Sequence, residues 1–405
     1  LRLAGVAGIA RIPLTSDALL EAACEETGLA DFGPDTYREG FEVLLDSLRE
    51  EARLSPVGRV IARQEMMMAL TNRLRLFDYH RRCPEIGQGS IKRPVFVIGM
   101  GRSGTTIMHE LLSLDTRLRV PQTWEVDFPF PPPETATYTT DPRIASTQKT
   151  LDRTDLILPA FKRIHRMGAT LPQECVRFTT SEFASLIFWT NYNVPSYADW
   201  LKNTADMAPA YGYHRQFLQL LQWRHPADPW VLKSPAHLWS LEVVLRQYPD
   251  ARFIQTHRDP LQMLASLSSL VTHLRKMASD HVDPGQIARE WADWNALGLN
   301  ASARFRESGR IAPENVIDVD FYAFMASPLD QLARIYAHFD LEFDQDTRST
   351  MADYLREHSS EQHGAHSYSF ADTGLDLEEE RARVQPYQAF FDTRIEVDAS
   401  TGSTA

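Results

Sequence analysis

Residues 94–112 read PVFVIGMGRSGTTIMHELL, and this stretch decides the fold of the chain. The short apolar run from Val95 to Ile98 is typical of a buried parallel strand. A glycine-rich loop follows and opens a helix, so we expect backbone with positive φ at Gly99, Gly101 and Gly104. Backbone N–H groups at such a helix N-terminus bind anions. The stretch therefore predicts an anion-binding loop at the end of a central strand.

The loop lacks the lysine of an ATP-hydrolysing P-loop. In that motif, G-x-x-x-x-G-K-[ST], the lysine reaches the β- and γ-phosphates of the nucleotide. Here Thr105 stands in the lysine position, and the nearest cation is Arg102. The hydroxyls of Ser103, Thr105 and Thr106 add hydrogen-bond donors to the same concavity. The loop is predicted to hold an anion but is poorly suited to splitting a nucleoside triphosphate. A strand-to-helix turn without a ligand is the alternative.

The same residues resemble a motif of a known family. The run from Gly101 to Thr106 resembles the 5′-phosphosulfate loop of sulfotransferases that use 3′-phosphoadenylyl sulfate (PAPS). The family pattern is [PR]-[KR]-[ST]-G-T-T, and this chain has Gly101 where many members have proline. The resemblance implies that Gly101, Arg102, Ser103, Gly104, Thr105 and Thr106 bind the donor. It also implies a catalytic role for Arg102.

Residues 250–266, DARFIQTHRDPLQMLAS, predict another strand, which leads into Arg258. In sulfotransferases a strand-end arginine and a serine eight positions later hold the 3′-phosphate of the nucleotide, and Arg258 and Ser266 match this spacing. A guanidinium grips a phosphate through two parallel hydrogen bonds. The resemblance therefore implies a site for a nucleotide with a 3′-phosphate, which ATP lacks. Taken alone, Arg258 is equally well interpreted as a surface charge paired with Asp259.

Between these two motifs lies PWVLKSPAHLWSL, residues 229–241, in which an apolar strand ends at Lys233. It resembles the family segment that carries a lysine and then a histidine, here His237, beside the transferring sulfuryl group. Open α/β sheets bind ligands outside the carboxyl ends of their strands, which agrees with a third cation at this edge. The alternative is a helix-capping turn with a solvated lysine.

A general base is predicted at Glu125, within VPQTWEVDFPFPPP at residues 120–133. Bacterial members of the family carry a glutamate near the transferring sulfate, whereas cytosolic relatives use a histidine, so His237 is the competing base. A carboxylate beside an anionic sulfate and the apolar Trp124 would have a raised pKa, as suits a base working near neutrality. The alternative is a solvent-exposed or arginine-paired carboxylate.

Two further residues follow from the resemblance alone. Tyr322 stands at the tyrosine of the family's Y-E-D-L-x-x-x-P segment, which implies an adenine contact, although Ala323 and Phe324 replace the acidic pair. The segment HGAHSYSFADTGLD resembles one near the C-terminus of bacterial members, and its His366 is expected to close over the 3′-phosphate end. An ordinary loop is the alternative for His366.

Strand patterns that alternate with helical patterns predict an α/β fold, a three-layer parallel sheet with a P-loop-like phosphosulfate loop. An N-terminal helical region is expected at residues 1–90. The α/β domain then spans 91–391, and a largely helical insertion at about 113–229 forms the acceptor side. Residues 392–405, rich in Ser, Thr and Gly, are expected to form a disordered tail.

Composition narrows the class of partner. The formal net charge is −12, so general nucleic-acid binding is not expected, and the anion sites must be local. Three widely spaced cysteines indicate neither a disulfide framework nor a zinc site and favour a cytoplasmic protein. No apolar run is long enough for a membrane span. Aromatic residues of the insertion, such as Phe128, Phe183 and Trp189, suggest an apolar acceptor pocket or, equally, the core of its helices.

The resemblance implies an enzyme that moves a sulfuryl group from PAPS to a hydroxyl or amine of a small-molecule, lipid or glycan acceptor. The product nucleotide would be 3′-phosphoadenosine 5′-phosphate (PAP), and no metal is required because a sulfuryl group carries less charge than a phosphoryl group. Two alternatives stay open: a P-loop small-molecule kinase and a catalytically silent nucleotide-binding protein. The identity of the acceptor, the choice of base and the oligomeric state are left undecided by the sequence.

Overall fold

The computed structural model describes residues 13–157, 167–358 and 369–398. A parallel sheet lies at the centre of this part of the chain. Its strands are β1 (Val95–Ile98), β2 (Val231–Lys233), β3 (Arg252–His257) and β4 (Val316–Asp320). They are arranged in the order β2-β1-β3-β4. Each strand lies where the sequence predicts one, so the predicted α/β class is confirmed.

The register of the strands brings their carboxyl ends to one edge of the sheet. Val97 of β1 pairs with Lys233 at the end of β2, and Ile98 pairs with Gln255 near the end of β3. The chain runs from β1 outward to β2 and then crosses to β3 on the other side of β1. Strand order therefore reverses beside β1, and such a switch point is where open α/β sheets bind ligands.

Alternate residues of the strands face two different apolar cores, as the two-residue period of a strand requires. Phe96 and Phe253 belong to a large core shared with the N-terminal helices and the insertion. Val97 and Ile254 belong to a smaller core shared with the helices that follow β4. Both faces of the sheet are thus covered, which gives the predicted three layers.

Helices fill the region before the sheet. They are α1 (Ser16–Thr27), α2 (Arg38–Glu50), α3 (Pro56–Arg82) and the short α4 (Glu85–Gln88). The Ser55 hydroxyl caps α3 by accepting the Gly58 N–H at 3.0 Å. Met66 and Leu70 are buried in the same core as Phe96 of β1. The N-terminal helices therefore share one apolar core with this face of the sheet.

The insertion between β1 and β2 is also helical. Before the insertion, the loop after β1 leads into α5 (Thr105–Leu112). The described helices of the insertion are α6 (Thr123–Asp127), α7 (Pro142–Ile157), α8 (Leu186–Asn191), α9 (Pro195–Asn203) and α10 (Ala208–Gln222). Phe183 and Trp189, offered by the sequence as pocket or core residues, are buried, whereas Phe128 is exposed. Most of this aromatic content is core.

Seven helices of the described chain complete the domain. They are α11 (Leu241–Gln247), α12 (Pro260–Ala278), α13 (Pro284–Glu307), α14 (Phe321–Ala326), α15 (Pro328–His338), α16 (Gln345–Glu357) and α17 (Leu377–Phe391). Helix α12 starts directly behind β3, where Asp259 accepts the Leu261 N–H at 3.0 Å. Across the three described ranges, no helix combines the length and hydropathy that a membrane span needs.

The first part of the predicted tail is held against the rest of the domain. Within the predicted tail, residues 392–398 are described, and Val397 is only 4% exposed. The backbone N–H groups of Glu396 and Val397 donate to Asp259 Oδ2 at 2.7 and 3.0 Å. Arg381 binds both oxygens of the same carboxylate. The expected boundary at 392 is therefore corrected for these residues, because a buried carboxylate anchors them; residues 399–405 lie outside the described ranges.

Candidate active site

The loop after β1 adopts a conformation that few residues tolerate. Gly99 and Gly104 have φ of 151° and 87°, and Arg102 has φ of 75°. A side chain at Gly99 would clash with Thr256 of β3, so the loop needs glycine at that point. The predicted positive φ at Gly101 is not observed, because Arg102 takes the left-handed turn instead. Left-handed conformations of this kind in non-glycine residues cluster at ligand sites.

Ser103 fastens the loop to β3. Its hydroxyl donates to Met100 O at 2.6 Å and lies 2.7 Å from Thr256 Oγ1. The residue is 1% exposed, so this hydroxyl serves the loop's own structure rather than standing open to a ligand. Thr105 is likewise buried, whereas Thr106 is exposed at the start of α5. Of the three predicted hydroxyl donors, Thr106 is the one that faces outward.

Lys233 at the end of β2 reaches across to the loop. Its ammonium group donates to Thr106 Oγ1 at 3.3 Å and forms an ion pair with Glu174. The Lys233 side chain is 4% exposed, so this charge lies in a largely water-free setting. The alternative interpretation, a solvated lysine in a capping turn, is wrong. Glu174 was missed by the sequence reasoning, because it lies in an irregular segment of the insertion with no motif around it.

The two predicted anion sites adjoin. Arg102 Nε donates to Ser266 Oγ at 2.9 Å, and Arg258 Nη1 donates to Arg102 O at 3.1 Å. The suggested surface pair of Arg258 with Asp259 is not formed, since Asp259 binds Arg381. Arg258 instead binds both oxygens of the Glu396 carboxylate, at 3.0 and 3.1 Å. No motif or period in the sequence marks Glu396, which lies in the predicted tail.

Tyr322 lies at the same end of the site, at the start of α14. Burial and the neighbouring Glu396 carboxylate raise the pKa of Tyr322 to about 12, so its hydroxyl stays protonated. The Arg394 guanidinium lies 4.6 Å from the centroid of its ring. Tyr322 is therefore close to the predicted 3′-phosphate residues. His366, the other residue taken from the resemblance, falls outside the described residues.

Glu125 is enclosed rather than open to an acceptor. It is 0% exposed, and Arg119 Nη2 donates to its Oε2 at 2.7 Å. The other oxygen accepts the Gln122 N–H at 3.0 Å and the Tyr138 hydroxyl at 3.1 Å. Burial and the Glu125 charge raise the pKa of Tyr138, which keeps that hydroxyl a donor. The arrangement is the arginine-paired alternative. Because Glu125 is fully buried, its carboxylate is not open to an acceptor hydroxyl.

His237 is also buried, at 2% exposure, on the turn after β2. Its Nδ1 lies 2.7 Å from the Tyr211 hydroxyl, and its ring stands edge-on to Phe96 at 4.9 Å. Burial, with a smaller contribution from His214, lowers the pKa of His237 well below its usual value. The imidazole is therefore neutral. It lines a cavity of about 300 Å³ that is also bounded by Cys175 and Tyr211.

A second cavity, of about 220 Å³, opens against the loop itself. Met100 and Gly101 form its loop side, and Glu174 lies in its wall. The remaining wall is mostly apolar and includes side chains of α8, α12 and α13, among them Leu186, Leu270 and Trp291. The two cavities share Val176, Leu186 and Trp239 as wall residues. An apolar chamber thus adjoins the cationic edge of the sheet.

Taken together, the strand ends bring cations to both sides of the glycine loop. Arg258 and Ser266 lie on one side of this loop, and Lys233 lies on the other. Buried cations and oriented N–H groups stabilise negative charge that develops on a bound group. The described residues contain no grouping of three or more metal-ligating side chains. The arrangement suits the binding of an extended ligand with two anionic groups.

Comparisons with known proteins give consistent relatives. A family model described as the sulfotransferase family matches residues 94–345. The omega-hydroxy-beta-dihydromenaquinone-9 sulfotransferase Stf3 of Mycobacterium bovis is 25% identical over 281 residues, which cover 66% of this chain and 67% of Stf3. The structure of sulfotransferase STF1 from Mycobacterium tuberculosis is 33% identical with a TM-score of 0.80, covering 91% of this chain and 98% of that one. Sulfotransferase STF9 from Mycobacterium avium is 29% identical with a TM-score of 0.86, and the match covers 96% of this chain and 99% of that one.

Proposed function

Because this chain belongs to the sulfotransferase family, we propose that it transfers a sulfuryl group from PAPS to a hydroxyl, or an amine, of a small-molecule, lipid or glycan acceptor. The observation that carries the proposal is the junction of the two anion sites. Arg102 reaches Ser266, and Arg258 reaches the Arg102 carbonyl. A kinase donor has no 3′-phosphate and would leave the Arg258 end of the site without a ligand.

The residues fit a nucleotide that carries phosphate at both ends. Arg258 already holds an anion, the Glu396 carboxylate, through two parallel hydrogen bonds, and this is the geometry in which a guanidinium takes a phosphate. In our proposal Arg258 and Ser266 hold the 3′-phosphate, Tyr322 contacts the adenine, and His366 closes over the 3′-phosphate end. The backbone from Gly101 to Thr106 holds the 5′-phosphosulfate, with Gly104 supplying the turn into α5.

Sulfuryl transfer puts new negative charge on the 5′-phosphate that leaves. Lys233 and Arg102 supply positive charge next to the loop, and Lys233 is buried, where its interaction with an anion is strong. PAP is then the product nucleotide. The chemistry calls for no divalent cation, since the sulfuryl group carries less charge than a phosphoryl group.

The acceptor is proposed to be a lipid-like alcohol. The relative Stf3 is named for an omega-hydroxylated dihydromenaquinone, and the cavity beside the loop has mostly apolar walls. Apolar residues outnumber polar ones in these walls, which favours an apolar acceptor over a glycan. Turnover measured with radiolabelled PAPS tests the proposal, with a long-chain primary alcohol and an isoprenoid alcohol as acceptors and a disaccharide as the polar comparison. Activity should persist in EDTA. Phosphate transfer from ATP with a strict Mg²⁺ requirement would favour a kinase. Nucleotide binding without any turnover would favour a catalytically silent protein.

Replacing Arg258 with alanine should remove the preference for a 3′-phosphorylated nucleotide. We expect the intact protein to bind PAP more tightly than adenosine 5′-phosphate by about 2 kcal/mol or more, the contribution of a charged hydrogen-bond pair. Isothermal titration of both nucleotides into the intact protein and R258A measures the difference. Arg304→Ala, at an exposed position on α13, is the matched control. Equal affinities for the two nucleotides in the intact protein would overturn the assignment.

A further inference from the structure

The C-terminal segment, residues 394–397, contacts the arginine that we assign to the 3′-phosphate. Glu396 accepts hydrogen bonds from Nε and Nη2 of Arg258 at 3.0 and 3.1 Å, and the two side chains are 11% and 13% exposed. At the other edge of the guanidinium, Nη1 donates to the Arg102 carbonyl of the glycine loop at 3.1 Å. The edge of Arg258 that faces away from this carbonyl is thus occupied by a carboxylate of the chain itself.

Arg258 has other contacts that fix its position. Its guanidinium lies 4.1 Å from the centroid of the Phe321 ring, which is a cation–π contact. Phe321 also lies against Gly104, so this ring connects Arg258 to the glycine loop. The bond to the Arg102 carbonyl holds the guanidinium on the same side. Glu396 is therefore not needed to orient Arg258, and another anion could take its place on the guanidinium.

A second contact of the C-terminal segment covers Tyr322. The guanidinium of Arg394 lies 4.6 Å from the centroid of the Tyr322 ring, and the Glu396 carboxylate neighbours the Tyr322 hydroxyl. A guanidinium is planar and stacks on aromatic faces, as a nucleotide base also does. The segment thus presents an anion to Arg258 and a flat group to Tyr322. Our proposed function assigns these two residues to the 3′-phosphate and to the adenine.

The backbone of the C-terminal segment is anchored next to Arg258. The N–H groups of Glu396 and Val397 donate to Asp259 Oδ2 at 2.7 and 3.0 Å. Arg381 binds the same carboxylate and donates to Val397 O at 2.6 Å. Val397 is buried, and Asp259 has no exposed surface. The side chain of Glu396 can therefore rotate away from Arg258 while its backbone stays attached.

Helix α17 holds the chain that leads into the segment. The hydroxyl of Tyr387 on α17 lies 2.7 Å from Nδ1 of His257, the last residue of β3. The chain leaves α17 at Asp392, where a φ of 50° turns it. From this turn the segment runs to Asp259, which directly follows Arg258 in the sequence. The chain is thus fixed on both sides of Glu396.

Resting on the donor site of our proposed function, we propose that the C-terminal segment occupies the nucleotide site of the free protein as an internal competitor. Glu396 takes the place of the 3′-phosphate on Arg258, and Arg394 takes the place of the adenine on Tyr322. A bound nucleotide displaces both side chains, while the backbone stays on Asp259. Two anions at one edge of a guanidinium need the same donors and repel each other, so the carboxylate and the phosphate exclude one another.

The anchored backbone makes this competition effective. A tethered group meets its partner at an effective concentration that is set by its tether, and here the tether is short. If Glu396 holds Arg258 in about nine molecules of ten, the apparent affinity for a 3′-phosphorylated nucleotide is lowered about 10-fold. PAPS and PAP both carry this phosphate, so the protein would bind both less tightly. The contact would favour the release of PAP after transfer and raise the PAPS concentration that fills the site.

Glu396→Gln keeps the shape of the side chain and removes its charge. We expect PAP affinity, measured by isothermal titration, to rise about 10-fold because the competitor is weakened. Affinity for adenosine 5′-phosphate should stay near that of the intact protein, since this nucleotide has no phosphate for Arg258. In turnover assays PAP should inhibit E396Q at about 10-fold lower concentrations. Glu378→Gln, at an exposed position on α17, is the matched control.

Arg394→Ala removes the group that covers Tyr322. We expect the affinities for PAP and for adenosine 5′-phosphate to rise by the same factor, about 3-fold, in line with the loss of an exposed cation–π contact. The factor is the same because both nucleotides carry adenine. Arg304→Ala, at an exposed position on α13, is the control. Unchanged or weaker binding of both nucleotides by R394A would overturn the role of Arg394 as part of the competitor.

Hydrogen exchange of the intact protein, followed residue by residue with NMR, tests the anchored backbone without any substitution. The N–H groups of Glu396 and Val397 should remain protected when PAP binds, because their bonds to Asp259 persist. Loss of this protection on PAP binding would overturn the anchored backbone and would mean that the whole segment leaves the site.

The titrations separate this inference from the function on which it rests. If the intact protein prefers PAP to adenosine 5′-phosphate but E396Q binds PAP no more tightly, the competitor is overturned and Glu396 orients Arg258 for the nucleotide. If the intact protein binds the two nucleotides equally, the 3′-phosphate site of the proposed function itself fails.

Discussion

Replacing Lys233 with methionine is expected to lower kcat by about 10³-fold, the upper range for loss of one preorganised electrostatic donor. PAP binding should weaken far less. The lysine side chain is almost fully buried at the end of β2 and touches both Glu174 and Thr106. The Lys233 charge would stabilise the leaving 5′-phosphate most strongly in the transition state, where that phosphate has become more negative. Removing the charge should therefore lower kcat more than PAP affinity.

The measurement is steady-state kcat at saturating PAPS, together with titration of PAP. Methionine removes the partner of Glu174, so the double variant K233M/E174Q checks that an unpaired carboxylate is not the cause. Lys276→Met, at an exposed position near the end of α12, should behave like the intact protein. A kcat within a few-fold of normal for K233M would show that Lys233 plays no part in the chemical step.

Glu125→Ala should lower the free energy of unfolding by roughly 3–5 kcal/mol, the cost of breaking a buried ion pair by removing one partner. Arg119 would keep its charge inside the protein without the Glu125 oxygen that it binds at 2.7 Å. The same guanidinium also donates to Leu221 O at 3.1 Å and to His225 O, so it ties the end of α10 to the strand edge. Tyr138 would lose its acceptor as well.

Urea denaturation of E125A and E125Q, followed by tryptophan fluorescence, measures the change in unfolding free energy. Glu134→Ala removes an exposed carboxylate from the same insertion and should have little effect. The prediction from sequence that Glu125 is catalytic leads to a different expected result, in which E125Q loses activity but keeps its stability. If E125Q unfolds like the intact protein while kcat falls about 10²-fold, Glu125 is the base.

The strands and their motifs could be predicted because both depend on local pattern. Short apolar runs specify parallel strands, and parallel strands end at one edge, so Arg102, Lys233 and Arg258 meet without any knowledge of tertiary contacts. The predicted ends of the strands agree with the structure to within about one residue. The assignment of Arg258 and Ser266 to one site comes from the family resemblance, and in the structure both residues contact Arg102.

Contacts between residues that only tertiary packing brings together could not be predicted from the sequence. Glu174 is separated by 59 positions from Lys233 and lies in an irregular segment, so no period or motif marks it. Glu396 lies 138 positions from Arg258 in a stretch whose composition suggests disorder. The positive φ at Arg102 rather than Gly101 reflects how the loop meets β3 and Ser266. An arginine-paired Glu125 was among the alternatives, and the structure shows that its partner is Arg119.

Helix α12 belongs to both halves of the site. Ser266 lies on it at the Arg258 end, while Leu267, Leu270 and Leu274 of the same helix form part of the cavity wall. Because α12 is one continuous helix, a displacement of α12 by a bound nucleotide would also move the cavity wall that an acceptor would contact. Under the proposed function, this shared helix would couple the binding of the two substrates. Such a coupling is reciprocal, so the effect of the nucleotide on acceptor affinity would equal the effect of the acceptor on nucleotide affinity.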